Sequence, residues 1–249
     1  MAYPTVLYGP ESEPFNTYDA VSPAPGDNGS GGPIAQRGRN PLGQQLILAD
    51  GRKFRFALAG GTLIVIGNVL TSAAIITTDQ SMTATAAAIG ARTITFTHGA
   101  ATVVINYFAE GYAQVSLAPG SGQSYKIASH LALTSSGEDT VNLAAGHAIR
   151  VALTTTSDIS LLANSYAGVI QAAATTLTGA PVGVAVSAIP ASDFGWVQTT
   201  GAASVLTAVT LLIGNVAVSP TGTAGACGPA AATPISVVVG RVQMVEATT

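Results

Sequence analysis

Charge is what this sequence has least of. Across 249 residues it carries nine Lys plus Arg and twelve Asp plus Glu, 8% of the chain, against about 25% in an ordinary soluble domain. With 48% hydrophobic residues, this excludes an intrinsically disordered chain, which combines high charge with low hydrophobicity. It also excludes a coiled coil or long-helix protein, whose composition is rich in Glu, Lys and Arg. Clustered bases are missing too. A formal net charge of −3 argues against nucleic-acid binding, because phosphate neutralisation takes grouped Lys and Arg. Cysteine is reduced to Cys227 alone, so no intramolecular disulfide can form and a disulfide-stapled scaffold is excluded.

Long apolar runs are absent as well. The longest uncharged candidate, residues 56–78, is cut by Gly60-Gly61 and Gly67-Asn68 into pieces of strand length, 62–66 and 69–71, since Gly-Gly and Gly-Asn mark turns. A bilayer-spanning helix needs about 20 mostly apolar residues, so no membrane partner is expected. The segment Met1-Ala2-Tyr3-Pro4 shows neither the basic nor the apolar region of a secretory signal.

Catalytic patterns are missing in the same way. His98, His130 and His147 are scattered and fit no zinc-ligand spacing, so each reads as a loop or strand-end residue and no metal is expected. There is no nucleophile elbow, and Gly120-Ser121-Gly122 does not extend into a phosphate-binding loop. Glu138-Asp139 follows Ser135-Ser136-Gly137 and reads as a pair of solvated turn acids. Cys227 has no cationic neighbour in sequence to activate it and reads as a small apolar residue. The expectation is a chain with no catalytic residue, no cofactor and no enzymatic activity.

What is present is Ala (44), Thr (29) and Gly (28), arranged in short alternating runs. Lys53-Phe54-Arg55-Phe56-Ala57-Leu58 puts Phe54, Phe56 and Leu58 on one face. Thr93-Ile94-Thr95-Phe96-Thr97 puts two apolar side chains on one face and three Thr on the other. Further strands are expected over residues 102–107, 112–117, 124–127, 140–143, 148–153, 158–161, 182–186, 196–198 and 235–239. Turn signals recur at the spacing of a sandwich or barrel. The only helical candidate, residues 81–89, is marginal at this length. The fold class expected is all-β, an antiparallel β-sandwich or barrel (jelly-roll-like) with an extended N-terminal arm.

That arm is compositionally distinct. Residues 1–45 hold Pro4, Pro10, Pro14, Pro23, Pro25, Pro33 and Pro41, seven of the thirteen prolines, and read as an extended segment with no core of its own. A plain linker has no use for the apolar anchors Tyr3, Leu7, Tyr8, Phe15 and Tyr18, which favour an arm that lies on a neighbour. Its acids, Glu11, Glu13, Asp19 and Asp27, precede a basic stretch holding Arg37, Arg39, Arg52, Lys53 and Arg55. The juxtaposition suggests pairing within or between subunits, and marks Arg37 and Arg39 with the arm aromatics as contact residues. Residues 46–249 form the β-rich body, with length enough for two packed β subdomains.

Several segments together resemble a known family. Asp50-Gly51-Arg52-Lys53-Phe54-Arg55-Phe56-Ala57-Leu58-Ala59-Gly60-Gly61 is similar to the opening of small structural proteins of tailed bacteriophages. So are Asn106-Tyr107-Phe108-Ala109-Glu110-Gly111-Tyr112, Gly120-Ser121-Gly122-Gln123-Ser124-Tyr125-Lys126-Ile127 and, most distinctively, Gly195-Trp196-Val197-Gln198-Thr199-Thr200-Gly201, which holds the only Trp. The resemblance covers most of residues 46–220 and implies a capsid decoration (cement) protein. Its partners would be the major capsid protein and further copies of itself, a homotrimer before a dimer. Its place would be the outer surface of the phage head, after assembly in the host cytoplasm. Phe54, Phe56 and Trp196 would be its structural core motif. A tail or fibre component binding a host receptor or glycan through Trp196, Tyr107 and Tyr112 is the second expectation.

Overall fold

A computed structural model describes residues 6–18, 40–230 and 237–245. Among them there is no α-helix. Sixteen strands run in chain order as β1 (Val6–Tyr8), β2 (Gln45–Ile47), β3 (Lys53–Leu58), β4 (Val69–Thr71), β5 (Met82–Thr83), β6 (Thr93–Thr97), β7 (Tyr112–Val115) and β8 (Ser124–His130), then β9 (Glu138–Leu143), β10 (Asp158–Leu162), β11 (Ile170–Gln171), β12 (Pro181–Ala185), β13 (Phe194–Thr200), β14 (Val216–Ser219), β15 (Gly228–Pro229) and β16 (Val237–Arg241). The all-β class read from the alternation is the class of the molecule. No helix in the described residues is long and apolar enough to cross a membrane.

The chain forms two compact units, the second inserted in the first: residues 75–164 make unit 2, and the flanking 39–74 and 165–249, with residues 6–18, belong to unit 1. Unit 1 holds a seven-stranded sheet in the order β1-β2-β3-β13-β12-β4-β11 and a three-stranded sheet β15-β14-β16. All pairs are antiparallel except β1 with β2. In β3 the alternation works as read: Phe54 and Phe56 are fully buried, and Phe56 lies opposite Trp196 of β13. The Phe56 ring meets Trp196 edge-on at 5.1 Å and stacks on Phe194 at 5.4 Å, geometries worth about 0.5–1.5 kcal/mol per pair beyond burial. The neighbouring Gly195 is required, because a Cβ there would lie 2.7 Å from the Ile189 side chain.

Unit 2 is a six-stranded sheet in the order β5-β10-β7-β8-β9-β6. It curls like a half-barrel until its ends meet: Ala84, just past β5, bridges to Phe96 of β6. Inside lie Ile94, Phe96, Tyr125, Ile127, Val141 and Ile159. Outside, Thr95 Oγ1 sits 2.9 Å from Thr140 Oγ1, a pair of hydroxyls on the exposed face.

Four expected elements are different in the structure. Residues 81–89 are extended, with β5 at their start and single bridges at Ala84 and Ala87. The curled sheet supplies strand partners that an isolated turn of helix lacks. Residues 102–107 do not form a strand: only Val103 pairs, with Leu133, and the chain then turns through Asn106 at φ 60°. Residues 148–153 form no strand, bridging at Leu153 and bonding through the Ile149 backbone to Gly90 and Ala91, and 62–66 bridge only at Ile64. In each case the buried side chains were legible, but backbone pairing was taken up by turns.

Candidate functional site

The arm residues 6–18 pack on the chain's own unit 1. Strand β1 adds to the edge of the seven-stranded sheet, Val6 opposite Gln45 and Tyr8 opposite Ile47. A single 3-10 turn at Glu13–Phe15 has Pro14 near its start, preset for it, and sits against β13. Tyr18 then bridges to Phe194. The peg is Glu13. Its carboxylate accepts hydrogen bonds from the Tyr18 hydroxyl at 2.5 Å, the Trp196 indole N–H at 3.3 Å and the Asn16 amide at 3.2 Å. Burial, followed by the Glu13 carboxylate, pushes the Tyr18 phenol up from its ordinary range. Glu11 reaches Arg52 at 2.7 Å, and Arg52 also holds Asp50 at 2.5 Å. This is one contact between arm acid and basic stretch, within a single chain. The backbone N–H of Arg52, and then its guanidinium, hold the Asp50 carboxyl below its usual range.

The sequence-selected residues thus divide. Leu7 and Tyr18 pack on the cluster of Leu46, Phe54, Phe56, Phe194 and Trp196. Tyr8 and Phe15 face outward, 81% and 58% exposed. Tyr3, Arg37 and Arg39 lie outside the described residues. Trp196 is fully buried, Tyr107 is half-buried and Tyr112 is exposed, so Trp196 has no open face to offer a ligand.

A second outward apolar surface in unit 1 comes from a segment with little regular pairing. Leu212 and Ile213 are 68% and 70% exposed. Hydrogen bonds from Gly214 N–H to the Val242 carbonyl and from Val242 N–H to the Asn215 carbonyl hold them beside the stretch carrying Met244. Beneath it Cys227 is buried among Val69, Ala172, Leu211 and Ala217, and burial pushes its thiol up. It behaves as the small apolar residue expected.

Unit 2 contains a polar cluster that sequence reading missed. His98 follows β6 and His130 ends β8, strand-end positions as expected, yet both are buried. His98 Nε2 is 3.0 Å from Asp79 Oδ1, both side chains closed to solvent, and Nδ1 is 3.0 Å from the Thr134 carbonyl. Asp139 is not the solvated turn acid expected. It lies in β9, accepts the Thr134 N–H at 2.7 Å and stands 3.7 Å from His98 Nδ1, because β9 begins earlier than the Ser-Ser-Gly turn suggested. Glu138 in the same strand stays exposed. His130 Nε2 accepts the Phe108 N–H at 2.9 Å while Nδ1 donates to the Leu131 carbonyl at 2.6 Å. Burial pushes Asp79 up and His130 down, each toward its neutral form. The available signal was Asp79's isolation, as the only charged residue between Arg55 and Arg92.

Among the described residues no group of three or more His, Cys, Asp and Glu side chains is placed to hold a metal ion. Comparison with protein-family models, curated proteins and solved structures gives no match to this chain.

Proposed function

We propose that this chain is a non-enzymatic virion protein, a capsid decoration or cement protein that binds the major capsid protein lattice and stabilises a phage head. The observation that carries the reading is the docked arm. Among the described residues it makes β1 the edge strand of a seven-stranded sheet and turns Tyr8 and Phe15 outward. An edge strand offers unpaired backbone groups to an added strand, and outward aromatics are the residue types that anchor interfaces. The exposed Leu212, Ile213 and Met244 offer a second contact suited to further copies of the chain. A trimer at local three-fold points of the lattice is the assembly proposed, ahead of a dimer. The fibre reading asks for an open aromatic groove, and the burial of Trp196 weighs against it.

Cosedimentation of the purified protein with undecorated heads tests the proposal. Saturable binding at lattice stoichiometry, weakened by Tyr8→Ala together with Phe15→Ala, is expected. Binding to host cells but not to heads would replace this reading with the fibre one.

A further inference from the structure

The Asp79–His98 pair does more than fill space. The Thr134 carbonyl beside His98 Nδ1 can only accept, so Nδ1 carries a hydrogen. If the ring is then neutral, Nε2 presents a lone pair 3.0 Å from Asp79 Oδ1. An ionised Asp79 facing that lone pair would set two acceptors against each other, closed to solvent. Asp79 Oδ2 and His98 Nε2 have no aligned hydrogen-bond partner, so nothing else relieves the contact. The Thr78 hydroxyl reaches only Oδ1, at 3.3 Å.

We propose that Asp79 and His98 share one trapped proton, and that this proton latches the Thr77–Asp79 turn of unit 2 against the end of β6 until alkali removes it. The proton sits either on Nε2, giving an imidazolium–carboxylate pair, or on Asp79, giving a neutral pair. Both arrangements are neutral overall, and burial favours the protonated carboxyl. The other groups facing the pair are Asp139 on the Nδ1 side, His130 from the end of β8 and Tyr107 from the turn before Phe108. Asp139 is engaged by Thr134, and His130 is pushed toward its neutral form by burial, with its Nε2 accepting the Phe108 N–H. Packing leaves no slack, since a Cβ on Gly99 would lie 2.0 Å from the Thr78 carbonyl oxygen.

Proton counting gives the sign. The folded pair holds one shared proton. In the unfolded chain the same two side chains hold two below about pH 3.9, one up to about pH 6.5 and none above it. Above about pH 6.5 the folded state therefore binds the extra proton, and stability falls as pH rises, by up to about tenfold in the unfolding constant per pH unit. The test is urea unfolding of the full-length protein across the neutral and alkaline range, wild type against Asp79→Asn. The Asn amide can donate to a neutral His98 Nε2 but cannot titrate. A flattened alkaline slope in Asp79→Asn is expected, and an unchanged slope would overturn the proposal. Infrared difference spectra and 15N imidazole shifts of the wild type serve if the variant fails to fold. A protonated buried carboxyl, or a His98 imidazolium beside a carboxylate, supports the shared proton. An ionised Asp79 beside a neutral ring at neutral pH refutes it.

Discussion

Replacing Glu13 by Ala should undock the arm, and the structure sets the size of the effect. The substitution removes the acceptor of three hydrogen bonds. The Trp196 indole N–H belongs to a fully buried residue and is left without an acceptor, which costs about 1–3 kcal/mol. The Tyr18 hydroxyl is half-buried and can turn to water, so its loss is the net value of a bond, about 0.5–1.5 kcal/mol. Asn16 is exposed and adds nothing. The expected loss is about 2–4 kcal/mol. With a urea m-value of about 2–3 kcal/mol per M, the midpoint should fall by about 1 M. The assay is built in, because Trp196 is the only Trp and its emission reports the indole that Glu13 engages. Glu13→Gln keeps an acceptor oxygen and loses only charge assistance, so it should cost about 1 kcal/mol. Tyr18 supplies a separate check. With Glu13 gone, one cause of its raised phenol pKa disappears, and tyrosinate should form at lower pH. The docking account fails if Glu13→Ala leaves the midpoint, the Trp emission and the proteolytic protection of β1 unchanged.

Gly99→Ala should destabilise unit 2 by about 1–3 kcal/mol, as overpacking does, because the new Cβ falls within 2.0 Å of the Thr78 carbonyl oxygen; an unchanged melting curve would refute the close packing. His130 sets an acid limit. Its folded pKa lies below the ordinary 6.5 through burial, so the stability it contributes is complete above that value and is lost as pH falls through the folded one. Protonation of Nε2 removes the acceptor of the Phe108 N–H. Hydrogen exchange, corrected for intrinsic rates, should therefore show Phe108 losing protection only as pH falls below the ordinary imidazole range, and constant protection would contradict it.

Alternation made the strands legible wherever one face is buried and the other wet. Ile94 and Phe96 against Thr93, Thr95 and Thr97 are a period-2 pattern that no helix can use, and β6 is where the pattern put it. The same rule failed at residues 102–107, where Val103, Val104 and Ile105 look like a strand. There the outcome was fixed by Asn106, which adopts φ 60° and accepts the His130 N–H through its side chain. That interaction spans residues far apart in sequence, and no local window contains it. Residues 81–89 show the converse. Weak helix propensity was outweighed by the strand partners that the curled sheet provides at Ala84 and Ala87.

The polar pegs were hidden for a related reason. Glu13 sits between Ser12 and Pro14 in an arm with no periodicity, and its importance comes from Trp196, far along the chain. Asp79 and Asp139 approach opposite nitrogens of His98 from two different segments. Composition made charge scarce, which invites the inference that the few charges serve solubility. Placement argues otherwise. Glu13 holds the arm, Arg52 gathers Glu11 and Asp50, and Asp79 lies buried against His98. Beside a few exposed charges, the outer faces carry Thr hydroxyls and apolar side chains such as Tyr8, Leu212 and Met244. A monomer rarely leaves contiguous apolar patches larger than a few hundred Å² to water. Scarce charge tied into contacts such as Glu13 with Trp196, and apolar side chains turned outward, are therefore features that the proposed assembly would account for together.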